Sequence, residues 1–186
     1  MSRGLLIIDI QRDYFPGGAY PLVGPEAAAA SARRVLDAFR SGGEPVLHLQ
    51  HVWDAEDAAF MKPGTEGVEI HPDVAPADGE PVIEKAEPNG FLGTGLEDEL
   101  RGRGIDELVV AGMMSSMCVD ATVRAAADLG FSVTVVHDAC AAPDLEFRGV
   151  TVPAQAVGAA FLAALADGYA TVVDADRLAE GSTTSV

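Results

Sequence analysis

Leu5-Leu6-Ile7-Ile8 puts four branched apolar side chains in a row near the start of the chain. Successive strand residues face opposite sides of a sheet, so a strand with this pattern must bury both faces. Similar runs recur at 45–52 (PVLHLQHV), 81–85 (PVIEK), 106–113 (DELVVAGM), 131–140 (FSVTVVHDAC) and 169–176 (YATVVDAD). Helical patterns separate most of them. Residues 24–43 read as a helix with Pro25 near its start and a glycine pair at its end, and 94–104, 115–130 and 151–168 read as three more. Buried strands alternating with helices predict an α/β fold, a parallel sheet of about six strands covered by helices on both faces. Residues 1–180 are expected to form one domain, and GSTTSV (181–186) a flexible tail. Residues 53–80 carry little periodicity and several prolines and glycines. A loop of that length is uncommon in a compact domain and is expected to serve function, as a lid would.

In parallel α/β sheets, ligands bind outside the carboxyl ends of the strands. Asp9 closes the first strand, Lys85 the third, and Cys118 follows the fourth, so three reactive side chains fall on one rim. Cys118 falls in the first turn of the predicted 115–130 helix, where free N–H groups and the helix dipole favour a thiolate. A nearby lysine would lower its pKa further. A carboxylate beside the thiol could take its proton, and backbone N–H groups around 114–118 could hold an oxyanion. From the residues alone, Cys118 is either a small buried thiol or a nucleophile.

The charge balance, −17 over 186 residues, argues against a nucleic-acid partner. No stretch approaches the length of a membrane span, and two cysteines are too few for a disulfide framework. A cytoplasmic protein is the expectation. Cys118 and Cys140 are not in a C-x-x-C arrangement, which makes a redox role the weaker reading.

The segment GMMSSMCVDATVRAAADLGFSVTVVHDAC (112–140) resembles the signature of the isochorismatase-like cysteine hydrolases. LLIIDIQRDYF (5–15) resembles the first-strand motif of that superfamily, and VIEKAEPNGFLGTGLEDEL (82–100) its lysine segment. The resemblance implies a Rossmann-like three-layer fold with sheet order 3-2-1-4-5-6, and a homo-oligomer, dimer or tetramer. It implies Asp9 as general base, Lys85 as supporting cation and Cys118 as nucleophile. It also implies a cis peptide between Met113 and Met114, and an oxyanion hole from the N–H groups of Met114 and Cys118. Ser115 stands where the family commonly has Thr, and Gly158 where many members have His. The Asp-x-His pair through which nicotinamidases bind metal is missing, so no metal and no cofactor is expected. His48 and His51, three apart on a strand, should point to opposite faces, His48 packed and His51 on the rim. His71 falls in the long loop. Ser115 and Ser116 are expected to cap the helix that carries Cys118.

The implied reaction is hydrolysis of an amide-like C–N bond in a small-molecule substrate through a thioester. Gln11, Phe15, Trp53, Phe60, Phe91 and Met117, with Tyr14 and Asn89, are the candidate substrate contacts. Two other readings stay open at this stage. One is vinyl ether cleavage of the isochorismatase type. The other is a non-catalytic binder on the same fold.

Overall fold

The computed structural model describes residues 2–181. Six parallel strands form one sheet: β1 (Ser2–Ile8), β2 (Val46–His51), β3 (Val82–Lys85), β4 (Ile105–Met113), β5 (Ser132–Ala141) and a late strand, Thr171–Val173. Counting only these strands, the order is 3-2-1-4-5-6, as the resemblance implies. The chain winds from β1 out to β3, returns across the sheet, and places β4 on the other side of β1. The crevice of such a sheet opens where the winding reverses, at the carboxyl ends of β1 and β4.

Burial follows the strand pattern. Leu5 and Ile7 pack under α1 (Pro25–Gly42), with Leu36 and Phe39 from that helix. Leu6 and Ile8 face the other layer, formed by α2 (Leu96–Gly102), α3 (Asp120–Asp128) and α4 (Ala154–Gly168). All four strand residues are at most 1% exposed, so β1 is the spine of both cores. Gly24 and Gly43 flank α1 in the left-handed conformation, which ends the helix where the glycine pair predicts. Gly112 at φ 153° is demanded by close approach. A Cβ there would run into the carbonyl oxygen of Ile8, so glycine lets β4 lie against β1 beside Asp9.

Several elements differ from expectation. The stretch predicted as one helix over 115–130 opens instead as a π-helical turn, Ser115–Val119, and becomes α-helical at Asp120. Residues 145–152 form a small antiparallel hairpin, β6 (Leu145–Phe147) and β7 (Val150–Val152), turned by Arg148 and Gly149 at positive φ. The hairpin takes the first residues assigned to the 151–168 helix. The late strand, β8 (Thr171–Val173), is shorter than 169–176, because the Asp174 carboxylate accepts the N–H of Arg177 and starts α5 (Ala175–Gly181). Gly181, assigned to the tail, ends that helix, and the rest of the predicted tail lies outside the described residues. Among the described residues, no helix is long and apolar enough to cross a membrane.

Candidate active site

The floor of the site is built from strand ends. After Ile8 the chain turns sharply, with Asp9 at φ 49°, a conformation that Asp tolerates better than most residues. Its carboxylate meets Lys85 from the end of β3, with Nζ 2.7 Å from Oδ2 and both side chains completely buried. Lys85 Nζ also lies 3.0 Å from Nδ1 of His51, at the end of β2, and 3.0 Å from the carbonyl oxygen of Glu87. An ammonium carries N–H donors and no acceptor. Nδ1 of His51 must therefore accept, which leaves the ring proton on Nε2. Burial, and then the charge of Lys85, lower the His51 pKa, in keeping with a neutral ring.

Cys118 sits on the π-helical turn, 3% exposed, and its Sγ joins an Asp9 oxygen and a His51 nitrogen within 4.8 Å of one another. π-Helical turns are found frequently at functional sites. The expected lowering of the thiol pKa is not what the structure supports. Burial pushes the Cys118 thiol up, the charge of Asp9 adds to this, and Lys85 opposes it without overcoming it. The physical reason is the environment: Cys118 is enclosed beside a carboxylate, not on the open first turn of an α-helix. The surroundings therefore favour the protonated thiol, next to a carboxylate. Asp9, His51 and Cys118 are close enough to share an ion, but Lys85 already places a cation against two of them.

The peptide between Met113 and Met114 is cis, as expected. The serines that follow are not caps. No side chain caps this turn, and the buried hydroxyl of Ser115 finds no hydrogen-bond partner among the described residues.

Above the floor opens a cavity of about 400 Å³. Cys118, Met114 and His51 reach it from below, and Ala86, Glu87 and Pro88 border it after β3. Its aromatic wall comes from two loops. Tyr20 and Phe60 stack with centroids 4.9 Å apart, Trp53 meets Phe60 edge-on at 5.4 Å, and Tyr14 lies 6.0 Å from Phe60. Asp13 ties the two loops together, its carboxylate accepting the N–H of Ala19 at 2.9 Å and of Met61 at 2.6 Å.

Of the predicted contacts, Trp53, Phe60, Met117 and Tyr14 line this cavity. Gln11 does not. It is fully buried and braces the backbone, accepting from His51 N–H at 2.8 Å and donating to the carbonyls of His51 and Val68. Phe15 stacks on His71 at 3.8 Å beside a separate groove. Phe91 stacks on Phe131 in the opposite layer, and Asn89 accepts the N–H of Phe91 in a local turn. His48, fully buried, bonds Glu80 at 3.0 Å and takes no part in the floor. Tyr20, Ala86, Glu87 and Pro88 line the cavity without having been predicted. The rim rule finds residues at strand ends, and these four lie beyond them. The 53–80 loop, apart from two short 3-10 turns, is irregular as expected, and it is fastened to residues 10–13 through Gln11, Asp13 and the N–H of Arg12 to Glu69.

The chain is similar to known proteins in sequence and fold. A family model described as the Isochorismatase domain matches residues 3–151. The isochorismatase family protein YddQ of Bacillus subtilis (strain 168) is 51% identical over 92% of this chain and 96% of its own length. A streptothricin hydrolase of Streptomyces noursei is 39% identical over 77% of this chain but only 51% of its own length. A nicotinamidase of Escherichia coli (strain K12) is 29% identical over 94% of this chain and 96% of its own. The crystal structure of an isochorismatase hydrolase from Oleispira antarctica superposes with a TM-score of 0.93 at 48% identity, covering 97% of both chains. Sequence, sheet order and fold agree, and the chain belongs to the isochorismatase family of hydrolases, which includes amidohydrolases.

Proposed function

We propose that the protein is a cysteine hydrolase that cleaves an amide-like C–N bond in a small molecule through a thioester. The observation that carries this reading is the buried contact of Asp9, Lys85 and Cys118 at the base of an aromatic-walled cavity. Burying an ion pair costs several kcal/mol per charge before attraction returns it, so a fully buried pair is a poor device for stability alone. Its use is chemical. Asp9 takes the Cys118 proton as Sγ attacks the substrate carbonyl, so the nucleophile is charged only when a substrate is present. Lys85 holds the Asp9 carboxylate in place. The N–H groups of Met114 and Cys118 receive the oxyanion. Asp9 then protonates the leaving nitrogen and activates the water that releases the acyl group. Amidase relatives support the C–N choice.

A panel of small amides, ureas and carbamates, followed by release of ammonia or amine, tests this. Turnover should appear in the wild-type protein and vanish in Cys118→Ala. A substrate cleaved equally well by both would defeat the mechanism. Including isochorismate in the panel separates the vinyl ether reading.

A further inference from the structure

The charged lining of the cavity is one-sided. Among the described residues, neither lysine nor arginine lines it. The cation beneath it, Lys85, is completely buried and lies against Asp9, His51 and the Glu87 carbonyl. The carboxylates are differently placed. Asp9 is buried in the floor and paired with Lys85, whereas Glu87 stands exposed at the border with no salt-bridge partner among the described residues. The rings of Tyr20, Phe60 and Trp53 line the same cavity, half-buried and stacked or edge-on to one another. Aromatic faces carry negative potential and attract cations, most of all weakly hydrated ones such as alkylated ammonium groups.

From this geometry we infer that the portion of the substrate that is not cleaved is positively charged, and that it seats against Tyr20, Phe60 and Trp53 with Glu87 as its counter-charge. Such a cavity disfavours a carboxylate-bearing substrate, because an anion desolvated there meets no lysine or arginine on the lining and the like charge of Glu87. The inference rests on the hydrolase reading for what is cleaved, but concerns only what is bound.

Three molecules of nearly the same shape separate the possibilities: choline, its neutral isostere 3,3-dimethylbutan-1-ol, and the anionic 3,3-dimethylbutanoate. Trp53 is the single tryptophan of the chain and lines the cavity, so its fluorescence reports occupancy directly. Titrations use the Cys118→Ala protein, so the outcome does not depend on any thiol chemistry. A failure here would leave hydrolysis standing, and a failure of hydrolysis would leave this binding intact. Choline is expected to bind about 2- to 30-fold more tightly than the neutral alcohol, the range of a cation on aromatic faces. The carboxylate should bind more weakly than either. Glu87→Gln should shrink the preference for choline while leaving the affinity for the alcohol unchanged, and that unchanged affinity shows that the variant is folded. Phe60→Leu should shrink the same preference. Equal binding of choline and the alcohol, tighter binding of the carboxylate, or no binding of choline would overturn the inference.

Discussion

The floor and the wall of the cavity are built by opposite means. The floor residues stand at or directly after strand ends: Asp9 after β1, His51 on β2 and Lys85 on β3, with Cys118 on the turn after β4. Strand register sets their positions, and His51 lies directly beside Lys85 in the ladder. The wall residues Tyr20, Trp53 and Phe60 stand on irregular segments, held by side chains that bond to backbone. A sheet gives fixed distances to reacting groups, whereas loops can change shape without disturbing the core. The floor therefore suits chemistry that needs fixed positions, and the wall suits choice of substrate.

This division can be broken experimentally. The largest effect should come from the floor. Cys118→Ala should lower turnover by about 10⁴-fold or more, with thermal stability nearly unchanged, read by product release and by the unfolding midpoint. Next is Lys85→Met, which strands the buried Asp9 charge. It should cost about 3–5 kcal/mol in chemical denaturation, and adding Asp9→Asn should recover much of that loss. If Lys85→Met alone leaves stability untouched, the buried pair is not as described.

The wall should respond differently. Asp13→Ala leaves the N–H groups of Ala19 and Met61 without their acceptor, at about 1–3 kcal/mol each if they stay buried. Because it loosens Tyr20 and Phe60 but not the floor, it should raise KM more than it lowers kcat. A pure kcat loss would mean that Asp13 acts on the chemistry, and the two regions would not be separable.

The smallest effect concerns the base of the long loop. Burial pulls the Glu80 carboxyl up, but bonds from Arg40, the Ala77 N–H and His48 outweigh it and hold the pKa at about 2 against a usual 4.5. A depressed carboxyl stabilises the fold above its unfolded pKa and loses that contribution as pH falls through the folded value. Glu80→Gln should therefore lower the melting temperature at pH 7 and flatten its acid dependence between pH 4.5 and 2. His48 has the same sign for another reason. Burial lowers its pKa below 6.5, so the unfolded chain takes up the proton first and stability declines on acidification from that value. Turnover that survives this change intact would fit a brace remote from the chemistry.

The same contrast explains what could be read from sequence. Asp9, Lys85 and Cys118 were legible because apolar runs locate strand ends, and strand ends locate the crevice. Gln11 and Phe15 misled because they follow Asp9 so closely in sequence. The turn at Asp9 sends Gln11 into a backbone brace and Phe15 onto His71. Tyr20 was hidden because its place depends on Asp13, a tie between segments about fifty residues apart that no local pattern encodes. The thiol pKa went the other way for a related reason. A helical start read from Ser115-Ser116 implies an open first turn, whereas the π-helical turn and the neighbouring carboxylate enclose Cys118.

The central claim is that Asp9 moves the proton for Cys118 in both halves of the reaction. Intact-mass measurement during exposure to p-nitrophenyl acetate, an activated acyl donor whose leaving group needs no proton, tests it most directly. The wild-type protein should gain one acyl group on Cys118 and lose it again. Asp9→Asn has no base to take the thiol proton or to activate water, so it should acylate much more slowly than the wild type and then hold what acyl group it gains. Acylation at another residue, or acylation or deacylation of Asp9→Asn at the wild-type rate, would contradict the account.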